Sequence, residues 1–259
     1  AELGYGDPRG SEALRRAIAE QLGVARGIAC DPSRILITSG TQQGLRLCAE
    51  ALLRRGDEVW MEDPGYVTAR RTLAALGATL VPVPVDAAGI DVAAGRQRAP
   101  GARLAYVTPS HQFPTGVTMS MARRLALLDW ARAEEAWVME DDYDSEFRFA
   151  GPPLTALAGI DGAGRVIYLG TFSKTLFPGL RIGFVVVPAT LMDRVMAVRA
   201  VSDRFPSPIM GGALAEVMEG GDFAAHLRRM RTQYRLARDL VAEELALACG
   251  PLLSFERPD

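Results

Sequence analysis

Short runs rich in Ile, Val and Leu recur along this chain, with stretches of helical apolar spacing between them. That alternation narrows the fold more than any other feature. The runs are Ile35–Thr38, Glu58–Met61, Leu80–Val83, Leu104–Val107, Trp137–Glu140, Val166–Leu169 and Ile182–Val187. Helical patterns lie between several of them, at Gln42–Arg54, Tyr66–Leu76 and Met121–Arg132, and one precedes them at Gly10–Gly23. Strand–helix–strand alternation predicts an α/β fold, a mainly parallel seven-stranded sheet with helices on both faces. After Pro188 the pattern turns wholly helical. Phe223–Cys249 reads as a long amphipathic helix leaving the main domain, and Leu252–Phe255 as the start of a strand beyond it. The expected division is a large domain, 1–222, followed by a linking helix and the beginning of an incomplete small domain, 223–259. The chain opens without methionine and stops abruptly, so we expect a piece of a longer protein.

Charge and cysteine usage exclude some classes. The net charge of −2 leaves no basic footprint for nucleic acid in this segment. Cys30, Cys48 and Cys249 are odd in number and match no metal spacing, which suggests reduced thiols in a cytoplasmic protein. No stretch is long and apolar enough to span a membrane, and no signal peptide is visible.

In open parallel sheets, ligands bind beyond the carboxyl ends of the strands. Five polar clusters fall there and read as one composite site. Ser39-Gly40-Thr41-Gln42 joins a strand to a helix, and a helix start offers free N–H groups and partial positive charge to a phosphate; an ordinary N-cap by Ser39 or Thr41 explains the same residues. Tyr66, after Asp63-Pro64-Gly65, offers an aromatic face or simply packs. The loop from Thr108 to Gly116 carries His111, which either caps a turn or touches a ligand. Asp141 and Tyr143 share one face of a strand end, because strand side chains alternate. They suit a cationic ring nitrogen and a neighbouring phenolate. Metal binding by the acidic pair, or a solvated loop, is the rival reading; no nearby histidine supports a transition metal.

The fifth cluster runs from Gly170 to Lys174. Lys and Arg together number 29, and Lys174 is the single lysine among them. Arginine can replace lysine in most surface roles, but guanidinium does not lose its proton, so it cannot attack a carbonyl. Thr171, Ser173 and Arg181 around Lys174 suit an anion beside the amine. An amine able to form an imine, an anion cradle, a carboxylate for a pyridinium and an aromatic stacker together describe a pyridoxal phosphate site.

Six strings occur in order: Tyr-Gly-Asp-Pro-x-Gly, Thr-Ser-Gly-x-Gln-Gln, Glu-Asp-Pro-Gly-Tyr, Thr-Pro-Ser-His-Gln-Phe-Pro-x-Gly, Glu-Asp-Asp-Tyr-Asp-Ser-Glu-Phe-Arg and Gly-Thr-Phe-Ser-Lys-x-Leu-Phe-Pro-x-Leu-Arg. In these the chain resembles the aminotransferase-like domain of MocR-family regulators, within the GntR class. Such regulators join a winged helix-turn-helix DNA-binding domain to a class I, fold-type-I aminotransferase-like domain. The resemblance implies that Lys174 carries pyridoxal phosphate as an imine, that Asp141 pairs with the ring nitrogen, and that Tyr143 bonds the phenolic oxygen. It implies stacking by Tyr66 and a phosphate cradle of Gly40, Thr41, Gln42, Thr171, Ser173 and Arg181. Tyr5 would reach the phosphate of a partner subunit in a homodimer. One departure stands out: the loop of free class I enzymes carries an asparagine for the phenolic oxygen, and here His111 or Gln112 would substitute.

Two functions follow from the resemblance. The first is a pyridoxal-phosphate-binding effector domain that senses an amino acid or amine and acts on DNA through a domain outside this segment. The second is a stand-alone aminotransferase moving an amino group between an amino acid and a 2-oxo acid. A nucleotide-binding α/β domain is the weak third, since no dinucleotide glycine fingerprint follows an early strand.

Overall fold

The computed structural model describes residues 4–149, 151, 153–250, 252, 253, 255 and 257. Its strands are β1 (Ile35–Thr38), β2 (Glu58–Asp63), β3 (Thr79–Asp86), β4 (Gly89–Ile90), β5 (Leu104–Val107), β6 (Trp137–Asp142), β7 (Val166–Thr171) and β8 (Gly183–Val186). They form an eight-stranded sheet in the order β1-β8-β7-β6-β5-β2-β3-β4. The pairs from β3 through β2, β5, β6 and β7 are parallel, whereas β8 runs antiparallel to both β7 and β1. The strand missing from the seven-strand expectation is β4. Its two residues pair antiparallel with the end of β3, too briefly to leave a pattern in sequence.

Alternation along each strand sorts the core onto two faces. Leu36, Met61, Tyr106, Met139 and Leu169 face α2 (Thr41–Leu52), α3 (Val67–Ala75) and α7 (Met192–Ser202). On the other face, Ile35, Ile37, Tyr168 and Phe184 pack with α1 (Glu12–Arg26) and α8 (Pro208–Glu219). Farther along that face, Trp60, Val107 and Val138 meet α4 (Val92–Arg98) and α5 (Met121–Ala133). There Trp60 and Trp130 stack with centroids 3.8 Å apart. Truncating either to alanine costs about 3–5 kcal/mol. The short α6 (Leu157–Ile160) is anchored by buried Glu140, which accepts from the Leu157 and Ala158 amides at 3.0 and 2.9 Å.

Local signals set the helix ends. Ser11 caps α1, and Gly27 closes it at φ 68°. Ser120 caps α5 and Asp91 caps α4. The last helix, α9 (Asp222–Cys249), buries Phe223 and Leu227 against the α8 side, while Leu236, Leu240 and Leu247 farther along are exposed. The strand expected at Leu252–Phe255 includes Ser254, which lies outside the described residues; Leu252 is in a turn.

Candidate functional site

The ends of five strands, β1, β2, β5, β6 and β7, with the loops that follow them, surround a cleft of about 270 Å³. Gly40, Thr41, Gln42, Tyr66, Asp141, Tyr143, Thr171, Ser173, Lys174 and Arg181 all line it, joined by Tyr106, Thr108 and Phe113. Residues up to 141 positions apart in sequence thus converge because β1, β7 and β6 end on the same side of the sheet.

One corner of the cleft is built for an anion. Gly40 is the N-cap of α2 at φ 120°, a backbone conformation suited to glycine, and no side chain caps the helix. Ser39 and Thr41, the candidate caps, do not do so; the Ser39 amide instead donates to Gln43 Oε1 at 2.7 Å. The first amides of α2 therefore open toward the cleft with the positive end of the helix dipole. The Arg181 guanidinium lies alongside, close enough that a Cβ on Gly40 would stand 3.8 Å from its Nη1. Gly183 permits this closeness: a Cβ there would sit 2.8 Å from Gly40 Cα and 2.9 Å from the Gly170 carbonyl oxygen. Beneath the corner, buried Arg199 donates to the Ile37 carbonyl at 2.7 Å and pairs with Asp203 at 3.1 Å, and Asp203 accepts from Gln43 at 2.6 Å. That network ties the end of β1 and the first turn of α2 to α7.

The opposite wall is acidic. Asp141 is 6 % exposed, and its Oδ2 accepts from the Tyr106 hydroxyl. Its Oδ1 is buried and has no hydrogen-bond partner. Burial pushes the Asp141 carboxyl up to about 7, helped by the charges of Asp142 and Asp144 and opposed by the Tyr106 hydrogen bond. An orphaned carboxylate oxygen on a residue that lines the cleft fits a cationic N–H donor, which would both bond it and restore its charge. Tyr143, next along this wall, donates to the His111 carbonyl at 2.9 Å, and burial followed by the charge of Asp144 holds its phenol protonated. Between the two walls, the Lys174 amine stands at the cleft in the turn after β7. Tyr66 and Phe113 meet edge to face at 5.7 Å and close one side with aromatic surface.

Asp142 belongs to the other face of β6. It pairs with Arg26 at 2.8 Å and accepts from Tyr168 at 2.6 Å and Ser145 at 2.8 Å. Asp144 pairs with His111 at 2.7 Å. These acidic side chains are spent on protein partners, and among the described residues no group of three His, Cys, Asp or Glu is placed to hold a metal ion.

The structure sets His111 and Gln112 back from the residues that line the cleft. Gln112 is buried, with its amide donating to Glu62 Oε2 and to the Pro64 and Phe113 carbonyls at 3.2, 2.9 and 2.8 Å, and its carbonyl accepting from Thr115. His111 turns to Asp144, which raises its pKa. The loop residues at the cleft are instead Thr108 and Phe113. Glu62 organises that loop by accepting from the Thr108 amide and hydroxyl at 3.2 and 2.7 Å, and burial pushes its own carboxyl up to about 7. Tyr5 stands outside this cleft, 83 % exposed, edge-on to Phe205 at 5.5 Å and under the Arg204 guanidinium. Sequence reasoning missed Tyr106, whose one signal was a hydroxyl inside the apolar strand Leu-Ala-Tyr-Val.

The mainly parallel sheet thus sets one lysine, a buried aspartate and an arginine-lined helix start around a shared cleft. Residues 1–254 match the family model for aminotransferase class I and II, and the chain belongs to that family. The resemblance to MocR-type regulators also holds. The chain is 47% identical over 231 residues to the probable rhizopine catabolism regulatory protein MocR of Rhizobium meliloti, covering 89% of this chain and 46% of that protein. It is 37% identical to the pyridoxine biosynthesis transcriptional regulator PdxR of Corynebacterium glutamicum, covering 90% of this chain and 50% of the regulator. The chain spans about half the length of these curated relatives. Among solved structures, kynurenine aminotransferase of Pyrococcus horikoshii superposes with a TM-score of 0.90 at 32% identity, over 99% of this chain and 65% of that one. The α-aminoadipate aminotransferase LysN of Thermus thermophilus gives 0.89 at 30% identity, with the same coverage.

Proposed function

We propose that this chain is the pyridoxal-phosphate-binding, aminotransferase-like effector domain of a MocR-type transcriptional regulator in the GntR class. The observation that carries the cofactor reading is the unpartnered, buried Oδ1 of Asp141, set in the same cleft as the single lysine and an uncapped helix start. The kynurenine aminotransferase structure contains pyridoxamine phosphate and the LysN structure a phosphopyridoxyl-leucine, which supports the same assignment. The regulator reading is supported by relatives described as transcriptional regulators.

When bound, pyridoxal phosphate supplies a carbonyl that condenses with amines and a ring that withdraws electrons. The roles of this chain follow from position. Lys174 supplies the amine for covalent attachment. The α2 amides, Thr171, Ser173 and Arg181 hold the phosphate. Asp141 Oδ1 accepts the ring N–H and keeps that proton on the nitrogen. Tyr66 covers the ring. Tyr143 already carries a proton it can share with the phenolic oxygen in place of the His111 carbonyl.

The loop brings Thr108 and Phe113 to the cleft; the Thr108 hydroxyl donates to Glu62, and the Phe113 ring has no hydrogen bond to offer. This favours sensing over efficient turnover: amine binding shifts a conformational balance only by its different affinity for the two states. We place the intact protein in the cytoplasm as a homodimer, with DNA engaged through a winged-helix domain outside this segment. Among the described residues no helix is long and apolar enough to cross a membrane.

The intact protein should develop a visible absorbance with pyridoxal phosphate, and borohydride should fix the cofactor on the peptide containing Lys174. Lys174→Arg should abolish attachment although charge is kept. Operator binding should then change when cofactor or a candidate amine is added. Attachment elsewhere would remove the site assignment. Sustained turnover of about 1 per second or faster, without any effect on DNA binding, would leave an aminotransferase instead.

A further inference from the structure

Two tyrosines on the neighbours of β6 serve its two final aspartates. Tyr106 on β5 lies opposite Met139, and Tyr168 on β7 lies opposite Glu140. Alternation then puts Tyr106 on the face of Asp141 and Tyr168 on the face of Asp142. Both hydroxyls donate to the carboxylate two positions farther on. Beyond that the sides differ. Asp142 also holds the Arg26 cation and the Ser145 hydroxyl. Asp141 has the Tyr106 hydroxyl on Oδ2 and nothing on Oδ1.

We propose that Tyr106 is a positioning residue of the cofactor site: by occupying Oδ2 it presents Oδ1 of Asp141 to the cleft as the acceptor for a protonated ring nitrogen. The inference rests on the pyridoxal phosphate reading given above. Tyr106 is 1 % exposed and packed in the core, so its hydroxyl cannot swing away. Burial and the charge of Asp141 raise its phenol well above the ordinary value, so it stays a donor. A neutral donor is the suitable kind here. It bonds one oxygen but leaves the carboxylate charge uncompensated, available to hold a cationic ring. The Arg26 guanidinium on Asp142 does the opposite and saturates its aspartate electrostatically.

The test compares Tyr106→Phe with Tyr168→Phe, which removes the equivalent hydroxyl from the other face. The first readout needs no cofactor: the titration of Asp141 in the free protein, followed by carboxyl NMR. The groups acting on Asp141 are Tyr106, Asp142 and Asp144, with Glu62 coupled to it from β2 and Lys174, Arg181 and Tyr143 sharing its cleft, and all but Tyr106 are kept. Tyr106→Phe should raise the Asp141 midpoint by about one pH unit, a tenfold change in proton affinity, and Tyr168→Phe should move it much less. The second readout is pyridoxal phosphate affinity by absorbance, expected to weaken about tenfold in Tyr106→Phe. In an Asp141→Asn background the same change should have almost no further effect. Replacing Tyr106 by 3-fluorotyrosine keeps the packing, makes the hydroxyl a stronger donor, and should lower the Asp141 midpoint. That arm decides the matter if Tyr106→Phe folds poorly.

An unchanged Asp141 titration in Tyr106→Phe, equal effects from Tyr168→Phe, or a full further loss on Asp141→Asn would overturn the proposal. Wild-type protein that takes up no pyridoxal phosphate would overturn the cofactor reading instead. In that case the cofactor-free titration separates the two: a shifted Asp141 midpoint keeps the Tyr106 coupling but ends its assignment to a cofactor site.

Discussion

Asp141 and Asp142 are consecutive on β6, yet one lines the cleft with a buried oxygen left unpartnered and the other is paired with Arg26 at 2.8 Å on the opposite face. Their replacements should therefore fail in different ways. Asp141→Asn removes the charge that would hold a ring cation, so pyridoxal phosphate affinity should fall at least about tenfold. The fold should be unharmed or slightly firmer, since a buried, poorly compensated carboxylate has gone. Asp142→Ala strands the buried Arg26 guanidinium and should destabilise the domain by about 3–5 kcal/mol. Denaturant titration and cofactor titration on both variants separate the two roles. Equal effects on affinity would contradict the face assignment.

Gly183 and Gly40 touch backbone to backbone, which sets the distance between β8 and the start of α2. Gly183→Ala would put a Cβ 2.8 Å from Gly40 Cα, where no flexible side chain can yield. Stability should drop by about 1–3 kcal/mol, and phosphate affinity should fall with it as the α2 amides shift from Arg181. Gly162→Ala meets nothing within 4 Å and serves as the control. Retained affinity in Gly183→Ala would show that the anion corner does not depend on this contact.

How much of this site was readable from the sequence depends on how local each signal is. Asp141 and Tyr143 sharing a wall follows from strand alternation over two residues. Lys174 is conspicuous because no other lysine exists. The places of His111 and Gln112 are not legible locally, because the orientation of that loop is decided elsewhere: Glu62, on β2, grips Thr108 and Gln112, and Asp144, beyond β6, holds His111. Tyr106 could not be tied to Asp141 without the β5–β6 register, a property of strand pairing that no short window contains. The sheet itself was legible, apart from β4, because its strands carry apolar runs long enough to stand out between helices.

Stability should fall as pH rises. Burial raises Glu62 and Asp141 to about 7 in the folded chain, above the carboxylate range of an unfolded one. The folded state then binds more protons than the unfolded state between about pH 4 and 7, and stability declines through that window. His111 acts with the same sign. Its pKa is raised by Asp144, so its contribution is full at low pH and is lost as pH rises through the folded value. Cofactor-free protein should have a lower unfolding free energy at pH 8 than at pH 5.5, by at least about 1 kcal/mol, and so a lower denaturant midpoint. Glu62→Gln and Asp141→Asn should each flatten the slope. Pyridoxal phosphate should bind better at pH 8, where Asp141 is already charged. A midpoint that climbs steadily across the same range would refute this account.

Tyr5 lies outside the cleft of its own subunit, and its ring is 83 % exposed apart from Phe205 and Arg204. If it completes the site of a partner in a two-fold dimer, mixed dimers will reveal it. Consider the intact protein with Lys174→Arg in one subunit and Tyr5→Phe in the other. Should Tyr5 act across the interface, both lesions fall on the site of the Lys174→Arg subunit. The remaining site then has its own Lys174 and an unaltered Tyr5 from its neighbour. Tagged heterodimers purified by sequential affinity steps should bind pyridoxal phosphate covalently at one of the two sites, with wild-type affinity. Should Tyr5 act within its own subunit, each site carries one lesion, and neither binds normally. The Tyr5→Phe homodimer supplies the reference for the weakened site. Covalent binding in the heterodimer only at that weakened affinity would place Tyr5 in its own subunit's site and overturn the cross-subunit assignment.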